Sequence, residues 1–273
     1  DVTTTSAATT SEITYANVYE GLTFIDGEGH VKPRLATDWV VDKSGRTVDF
    51  RLRKGVSYHD GKALDAKTAA FSLNRMLQLK GQNPYLEWFD KIESVKAVGD
   101  LQLRISLKEP DSLLTYALAL PGAVLVHPDS ADNNATMPTG TGPYRVQGWE
   151  RGKQVRLVRN DQWWGERPPQ IREAVFMFMS TAAETENMLA EGRVDALSSV
   201  TRLTASFASR TDYVMGRRGV EGKLIVALNN ARAPLNDIRV RRALSHAVDR
   251  SKYLNIYGPL ISVIPIGSHF SPS

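Results

Sequence analysis

The chain has 273 residues, of which 42% are hydrophobic and 23% are charged, and it contains no cysteine. That hydrophobic share is typical of a globular protein rather than a disordered tail, and the lack of cysteine excludes disulfide scaffolds, cysteine-ligated metal centres and thiol nucleophiles. The net charge of +4 is small and the basic residues are scattered, so no nucleic-acid partner is predicted.

The first half of the chain alternates helical and extended patterns. Apolar residues at helical spacing predict a first helix over residues 12–22. Alternating apolar residues on either side of turn residues predict a hairpin over residues 39–52 with one buried face. Asp65 can cap a helix whose apolar face extends over residues 66–77. A second alternating strand is predicted over residues 101–107.

The second half begins after a loop of small and polar residues at 131–142, which is the best candidate for a domain boundary. Strands and helices then follow in irregular alternation. The predicted strands are 144–150, 154–160, 175–179 and 224–228, and the predicted helices are 181–191 and 237–248. The strand at 175–179 is too apolar to leave one side in solvent. Because there is no strict strand–helix–strand repeat, the fold class is mixed α/β.

No catalytic motif is present. The nucleophile-elbow and zinc-protease patterns are absent, and residues 55–62 and 140–142 resemble phosphate-binding loops only superficially. Both stretches are interpreted as turns. We therefore predict no enzyme, no catalytic residue, no metal site and no cofactor. No apolar stretch approaches the roughly 20 residues of a membrane span, so no direct membrane insertion is predicted.

Two small groups of residues leave alternatives open. The histidines are isolated in sequence, and only His59 has a neighbour, Asp60, that could orient its ring. We favour a turn in which Asp60 bonds its own backbone. Trp163-Trp164 with Asp161 could form a sugar platform with a general acid, but structural packing is favoured because Gly165 marks a turn beside them.

Several segments, taken together, resemble one family, the extracellular solute-binding proteins of peptide-type ABC importers (family 5). The matching stretches, in chain order, are Asn17-Val-Tyr-Glu-Gly-Leu22, Pro33-Arg-Leu-Ala-Thr-Asp-Trp39, Phe50-Arg-Leu-Arg-Lys-Gly-Val-Ser-Tyr-His-Asp-Gly61, Gly140-Thr-Gly-Pro-Tyr144, Arg159-Asn160 with Trp163-Trp164-Gly165, Glu191-Gly-Arg-Val-Asp195, Ala227-Leu-Asn229, Pro234-Leu-Asn-Asp-Ile-Arg-Val-Arg-Arg-Ala-Leu244 and Val248-Asp-Arg250. Each is weak alone, but their order and spacing cover nearly the whole chain.

The resemblance implies a periplasmic-binding-protein-like fold of type II, in the peptide-binding cluster. Residues 1–33 and 140–273 would form the first lobe, and residues 34–139 an inserted α+β subdomain. Family members are much longer, so we expect this chain to be a truncated form that lacks most of the second lobe, with weak or undetectable solute binding on its own.

The resemblance also implies a function. Such proteins capture peptides or peptide-like solutes, or other small molecules, in a cleft between two lobes and deliver them to the membrane subunits of an ABC permease. A monomer in the periplasm, or anchored outside the cell membrane, is expected. The alternatives are a ligand-sensing module of a regulatory protein, and a protein that binds or hydrolyses carbohydrate.

Seven residues map to the cleft wall by this resemblance. Ala7 and Ala8 would lie at the lobe edge, and Tyr85 would project from the inserted subdomain. Ser198 and Ser199 would line the floor of the cleft, and Ala227 and Asn229 would lie beside it.

Overall fold

Residues 3–4, 8–79, 82–197 and 227–249 are described by the computed structural model. The chain divides into two units, Asp1–Phe178 and Met179–Ser273, and each is considered by itself. The predicted strand at 224–228 lies mostly outside the described residues. None of the described helices is both long enough and apolar enough to span a bilayer.

The strands among the described residues form three antiparallel sheets. Their bounds are β1 Thr23–Ile25, β2 Val31–Pro33, β3 Ala36–Val41, β4 Thr47–Leu52, β5 Ile92–Gly99, β6 Gln102–Leu107, β7 Tyr144–Glu150, β8 Gln154–Arg159 and β9 Glu173–Met177. The orders are β1-β2, then β3-β4-β6-β5, then β7-β8-β9. The predicted hairpins β3–β4 and β7–β8 are confirmed, whereas the sequence analysis did not identify β5.

The described α-helices are α1 Ala8–Thr14, α2 Ala66–Gln78, α3 Leu114–Ala117, α4 Ala182–Ala190 and α5 Ile238–Ala247, with 3₁₀ helices at Leu86–Phe89, Pro121–Ala123 and Pro128–Asn133. The predicted starts of α2, α4 and α5 are confirmed by their caps. In α2 the Asp65 side chain accepts from the Thr68 amide, while the Thr68 hydroxyl accepts from the Asp65 amide.

Helix α2 covers the four-stranded sheet and makes the larger of two apolar cores. Its Ala69, Leu73 and Met76 pack with Phe50 and Leu103 of the sheet, and each of the five is buried. These helix positions recur at the 3.6-residue period, and the strand positions alternate. The sequence pattern therefore determines which face of each element is buried.

The predicted helix over 12–22 is wrong in its extent. Helix α1 ends at Thr14, and Ala16 then has a positive φ of 62°. The next residues bond to a distant segment instead, since Val18 accepts from the Gly142 amide and Asn17 accepts from the Tyr144 amide. The carbonyls of residues 17 and 18 therefore bond to a distant segment, where a continued helix would pair them with amides further along the same helix.

The expectation that strand 175–179 has no solvent-facing side is also wrong. Strand β9 spans Glu173–Met177, none of its residues is fully buried, and Val175 is 40% exposed. Helix α5 behaves similarly, because none of its residues is buried although its apolar positions have helical spacing.

Candidate functional site

The predicted cleft residues fall in different parts of the chain. Tyr85 lies in the first unit, where it precedes the 3₁₀ helix Leu86–Phe89 and its backbone amide donates to the Asn83 side chain at 2.9 Å. Its half-buried ring packs on Gly122, where an added Cβ would lie 2.5 Å from the ring. Glycine at 122 thus makes room for the tyrosine ring.

The other predicted positions give less structural information. Ala8 is the first residue of α1, whereas Ala7, Ser198 and Ser199 lie outside the described residues. Ala227 and Asn229 are exposed in the second unit, outside any helix or strand. The Asn229 side chain accepts from the Ala231 amide at 3.0 Å, which is an Asx turn. That these residues share one site stays a prediction.

A buried carboxylate joins four separate stretches of the first unit. The side chain of Glu20 has no exposed surface and pairs with Arg34, whose Nη2 lies 2.7 Å from Oε1. The Thr141 hydroxyl donates to Oε2 at 2.9 Å, and the Trp164 indole donates to the same oxygen at 2.8 Å. Burial raises the pKa of the Glu20 carboxyl, against the opposing influence of the Arg34 charge and these donors.

The tryptophan pair belongs to the same cluster. The Arg34 guanidinium lies 5.6 Å from the Trp163 ring centroid and 5.5 Å from that of Trp164, and Arg53 lies 4.5 Å from the latter. Asp161 forms an ion pair with Arg159 at 2.6 Å. Because cations of the chain itself contact the rings, the geometry favours packing over a sugar platform.

His59 connects the turn after β4 to the loop before β7. Its Nδ1 accepts from the Gly140 amide at 3.3 Å and its Nε2 lies 2.9 Å from the Gly142 carbonyl, to which the neutral ring donates. Burial lowers the pKa of His59 to about 4. The Asp60 side chain accepts from the Lys62 amide at 3.2 Å, which confirms the predicted turn.

The loop at 140–142 needs its glycines for close approach. An added Cβ at Gly140 would lie 2.0 Å from the Val18 carbonyl oxygen, and one at Gly142 would lie 2.3 Å from the Asn17 carbonyl oxygen. Both contacts are shorter than any real carbon–oxygen approach. The two glycines thus have a packing role, in line with the structural interpretation of this loop.

A cavity of about 140 Å³ lies next to α1. This is smaller than the roughly 300 Å³ at which ligand pockets begin, so it can hold a side chain but not a whole peptide. Its lining is mainly apolar and threonine-rich, and includes Thr9, Ile13, Val146, Trp149, Val155 and Phe178. The cavity adjoins the helix that begins at Ala8.

The mixed α/β fold is shared with solved periplasmic solute-binding proteins. The structure of NikA from Brucella suis matches with a TM-score of 0.76 and 25% identity over 88% of this chain and 50% of that one. The dipeptide-binding protein from Pseudoalteromonas sp. SM9913 matches with a TM-score of 0.77 and 24% identity over 93% and 56%, which shows the fold alone.

The family follows from the sequence comparison. The model for bacterial extracellular solute-binding proteins, family 5, matches residues 30–269, and the chain therefore belongs to that family. The nickel-binding periplasmic protein of Escherichia coli K12 is 30% identical over 88% of this chain and 48% of its own length. The dipeptide-binding protein of the same strain is 28% identical over 90% and 51%. The chain thus spans about half the length of the curated relatives it matches.

The residues of the Glu20 cluster are not among the predicted site residues, although the sequence carries a signal for them. Glu20, Arg34, Thr141 and Trp164 each lie in a different one of the stretches that carry the family resemblance. The structure brings these four stretches together at one buried carboxylate. These four stretches therefore have an architectural role here.

Proposed function

We propose that the chain is the substrate-binding component of an ABC-type importer, which captures peptides or peptide-like solutes in an interlobe cleft and delivers them to a membrane permease. The observation that carries this proposal is the family match over residues 30–269. The names of the nickel-binding and dipeptide-binding relatives support small, polar solutes as the ligand class.

The remaining functional assignments belong to the same proposal. The protein acts in the periplasm or at the outer side of the cell membrane, as a monomer, without catalysis, cofactor or nucleic acid. Residues 1–33 and 140–273 form a first lobe and residues 34–139 an inserted subdomain. The Glu20 and His59 contacts support this assignment of lobe and subdomain. They would hold the subdomain rigidly to the lobe while solute binds elsewhere.

Within this proposal Tyr85 contacts solute, as the family resemblance implies. Its ring is supported from behind by Gly122, so little side-chain entropy is lost when a ligand packs on its other side. An aromatic side chain held this way supplies contact area without selecting one solute side chain. Tyr85 would thus contribute affinity more than specificity.

The experiment is an NMR titration of the full-length parent protein, and of the 273-residue chain beside it, with di- and tripeptides, a nickel–histidine complex, an opine and a disaccharide. Saturable shifts with at least one peptide are expected for the full-length protein, and weak or undetectable binding is expected for this chain on its own. A full-length protein that binds none of the panel overturns the proposal, and binding of the disaccharide alone would favour a carbohydrate-binding protein.

Variants then locate the binding surface. Tyr85→Ala is expected to weaken peptide binding by about tenfold, as for a buried aromatic anchor. Tyr116→Ala is the matched control, because this half-buried tyrosine packs beside Trp88 of the same 3₁₀ helix, with ring centroids 6.0 Å apart. Equal losses in both variants would mean that Tyr85 acts through stability rather than contact.

A further inference from the structure

The turn between β1 and β2 has the sequence Asp26-Gly-Glu-Gly-His30 and is held in one conformation by hydrogen bonds. The Asp26 amide donates to the His30 carbonyl at 2.9 Å and closes the turn. One Asp26 carboxylate oxygen, Oδ1, accepts from the amides of Glu28 at 3.1 Å and His30 at 2.8 Å. The backbone that carries the three polar side chains is therefore fixed before any ligand arrives.

Metal-ligating atoms of these three side chains converge. One atom each from Asp26, Glu28 and His30 lies within 4.8 Å of the other two, and within the described residues no other group of three such side chains does so. Metal–ligand bonds of about 2.0–2.2 Å place ligand atoms about 3–4 Å apart. Small side-chain rotations can shorten the distances between the ligand atoms from at most 4.8 Å to this range, because Glu28 and His30 are exposed and no core packing restrains them.

The exposed side chains of Glu28 and His30 can rotate towards a cation held at Asp26. The imidazole of His30 is 68% exposed, with Nδ1 3.6 Å from the Asp26 carboxylate. The second oxygen of that carboxylate, Oδ2, lies 3.6 Å from the Lys32 ammonium, a solvent-screened contact that a divalent ion can replace. The glycines at 27 and 29 add no side chain that would separate the donors.

We propose that Asp26, Glu28 and His30 form a surface site for a divalent transition-metal ion such as Ni²⁺ or Zn²⁺. One imidazole nitrogen with two carboxylate oxygens suits these borderline ions better than Mg²⁺ or Ca²⁺, which prefer oxygen alone. Three protein ligands leave the other coordination positions to water, so the ion exchanges with solvent. The site lies outside every residue predicted to contact solute, and it does not depend on the proposed transport function.

The test is calorimetric titration of the tag-free 273-residue chain with NiCl₂ and with ZnCl₂, in a buffer that does not chelate. Saturable binding is expected. His30→Ala and Glu28→Gln should each lower the metal affinity of this site by at least tenfold, since loss of an outer-shell partner alone costs about 10–100-fold in affinity. His246→Ala is the matched control, because His246 is likewise exposed and belongs to no such group within the part of the chain that the structure describes; it should leave that site unchanged.

A second readout locates the ion directly. Paramagnetic Ni²⁺ should broaden the backbone amide signals of residues 26–30 in the wild-type chain and not in His30→Ala. Absence of saturable binding, or equal affinity in His30→Ala and the wild type, overturns the site. The solute titrations are repeated with His30→Ala, so that loss of the metal site and failure of the transport proposal are read separately.

Discussion

Replacing His59 by glutamine should remove an acid-sensitive contribution to the stability of the first unit. The native ring is neutral, because its Nδ1 must accept from the Gly140 amide and a protonated ring cannot accept. Glutamine offers one acceptor and one donor at a similar reach, but it does not titrate. The two proteins should therefore differ mainly in their pH dependence.

The size of this pH effect follows from the difference in proton binding between the folded and unfolded states. The pKa of His59 is about 4 in the folded protein and about 6.5 in an unfolded chain. Between these values the unfolded state binds more protons, so stability falls as the pH drops from 6.5 towards 4 and does not depend on this group above 6.5. The loss reaches about 2 kcal/mol near pH 5 and about 3 kcal/mol at most, an upper limit because the ring is partly exposed.

The assay is urea unfolding at intervals from pH 7.5 to pH 4.5, followed by tryptophan fluorescence. All five tryptophans lie between residues 39 and 164, so the signal reports the first unit, which contains His59. The buried Glu20 carboxyl is present in both proteins, so its contribution to the pH dependence of stability cancels when the two curves are subtracted. His30→Gln is the control for loss of an exposed histidine, since it leaves the His59 contacts in place. Parallel curves for wild type and His59→Gln would refute the reasoning.

Three further substitutions test the packing described above. Gly142→Ala should cost at least about 2 kcal/mol of unfolding free energy, because its Cβ meets backbone that cannot rotate away, whereas Gly148→Ala has open space and should cost under about 1 kcal/mol. Glu20→Gln should lower the free energy of unfolding by about 3 kcal/mol, because it leaves the Arg34 guanidinium unpaired. Asp49→Asn, in an exposed ion pair, should lower it by less than about 1 kcal/mol. Similar losses in the two variants would contradict the burial argument. Leu73→Ala should cost about 2–5 kcal/mol in urea unfolding, and a loss under about 1 kcal/mol would mean that α2 is not a core helix.

Elements whose signals are local were predictable from the sequence. Helix α2 has its cap at Asp65 and its apolar face in one continuous stretch, so nothing distant has to be known. The β3–β4 hairpin is similar, because the Asp42 side chain accepts from the Arg46 and Thr47 amides within the turn itself. In both cases the stabilising partners lie within five residues of one another.

Predictions failed where a distant segment decides the structure. The stretch after Thr14 has helical apolar spacing but bonds to residues 142–144, which no local pattern reveals. The prediction that the histidines are isolated missed the convergence of Asp26, Glu28 and His30 for a different reason, because one short local turn brings these side chains together. Conversely, Tyr85 and Asn229 came only from family resemblance, and their contact with solute stays a prediction.

The contacts of Glu20 also have a consequence for the order in which the chain folds during synthesis. Its partners Thr141 and Trp164 are 121 and 144 residues further along, whereas the four-stranded sheet and α2 are complete by residue 107. Contacts between distant residues form late, because the loop between them must first close. We expect the sheet and its helix to form on the ribosome while Glu20 is still in water, and its carboxylate to be enclosed only after residue 164 has emerged.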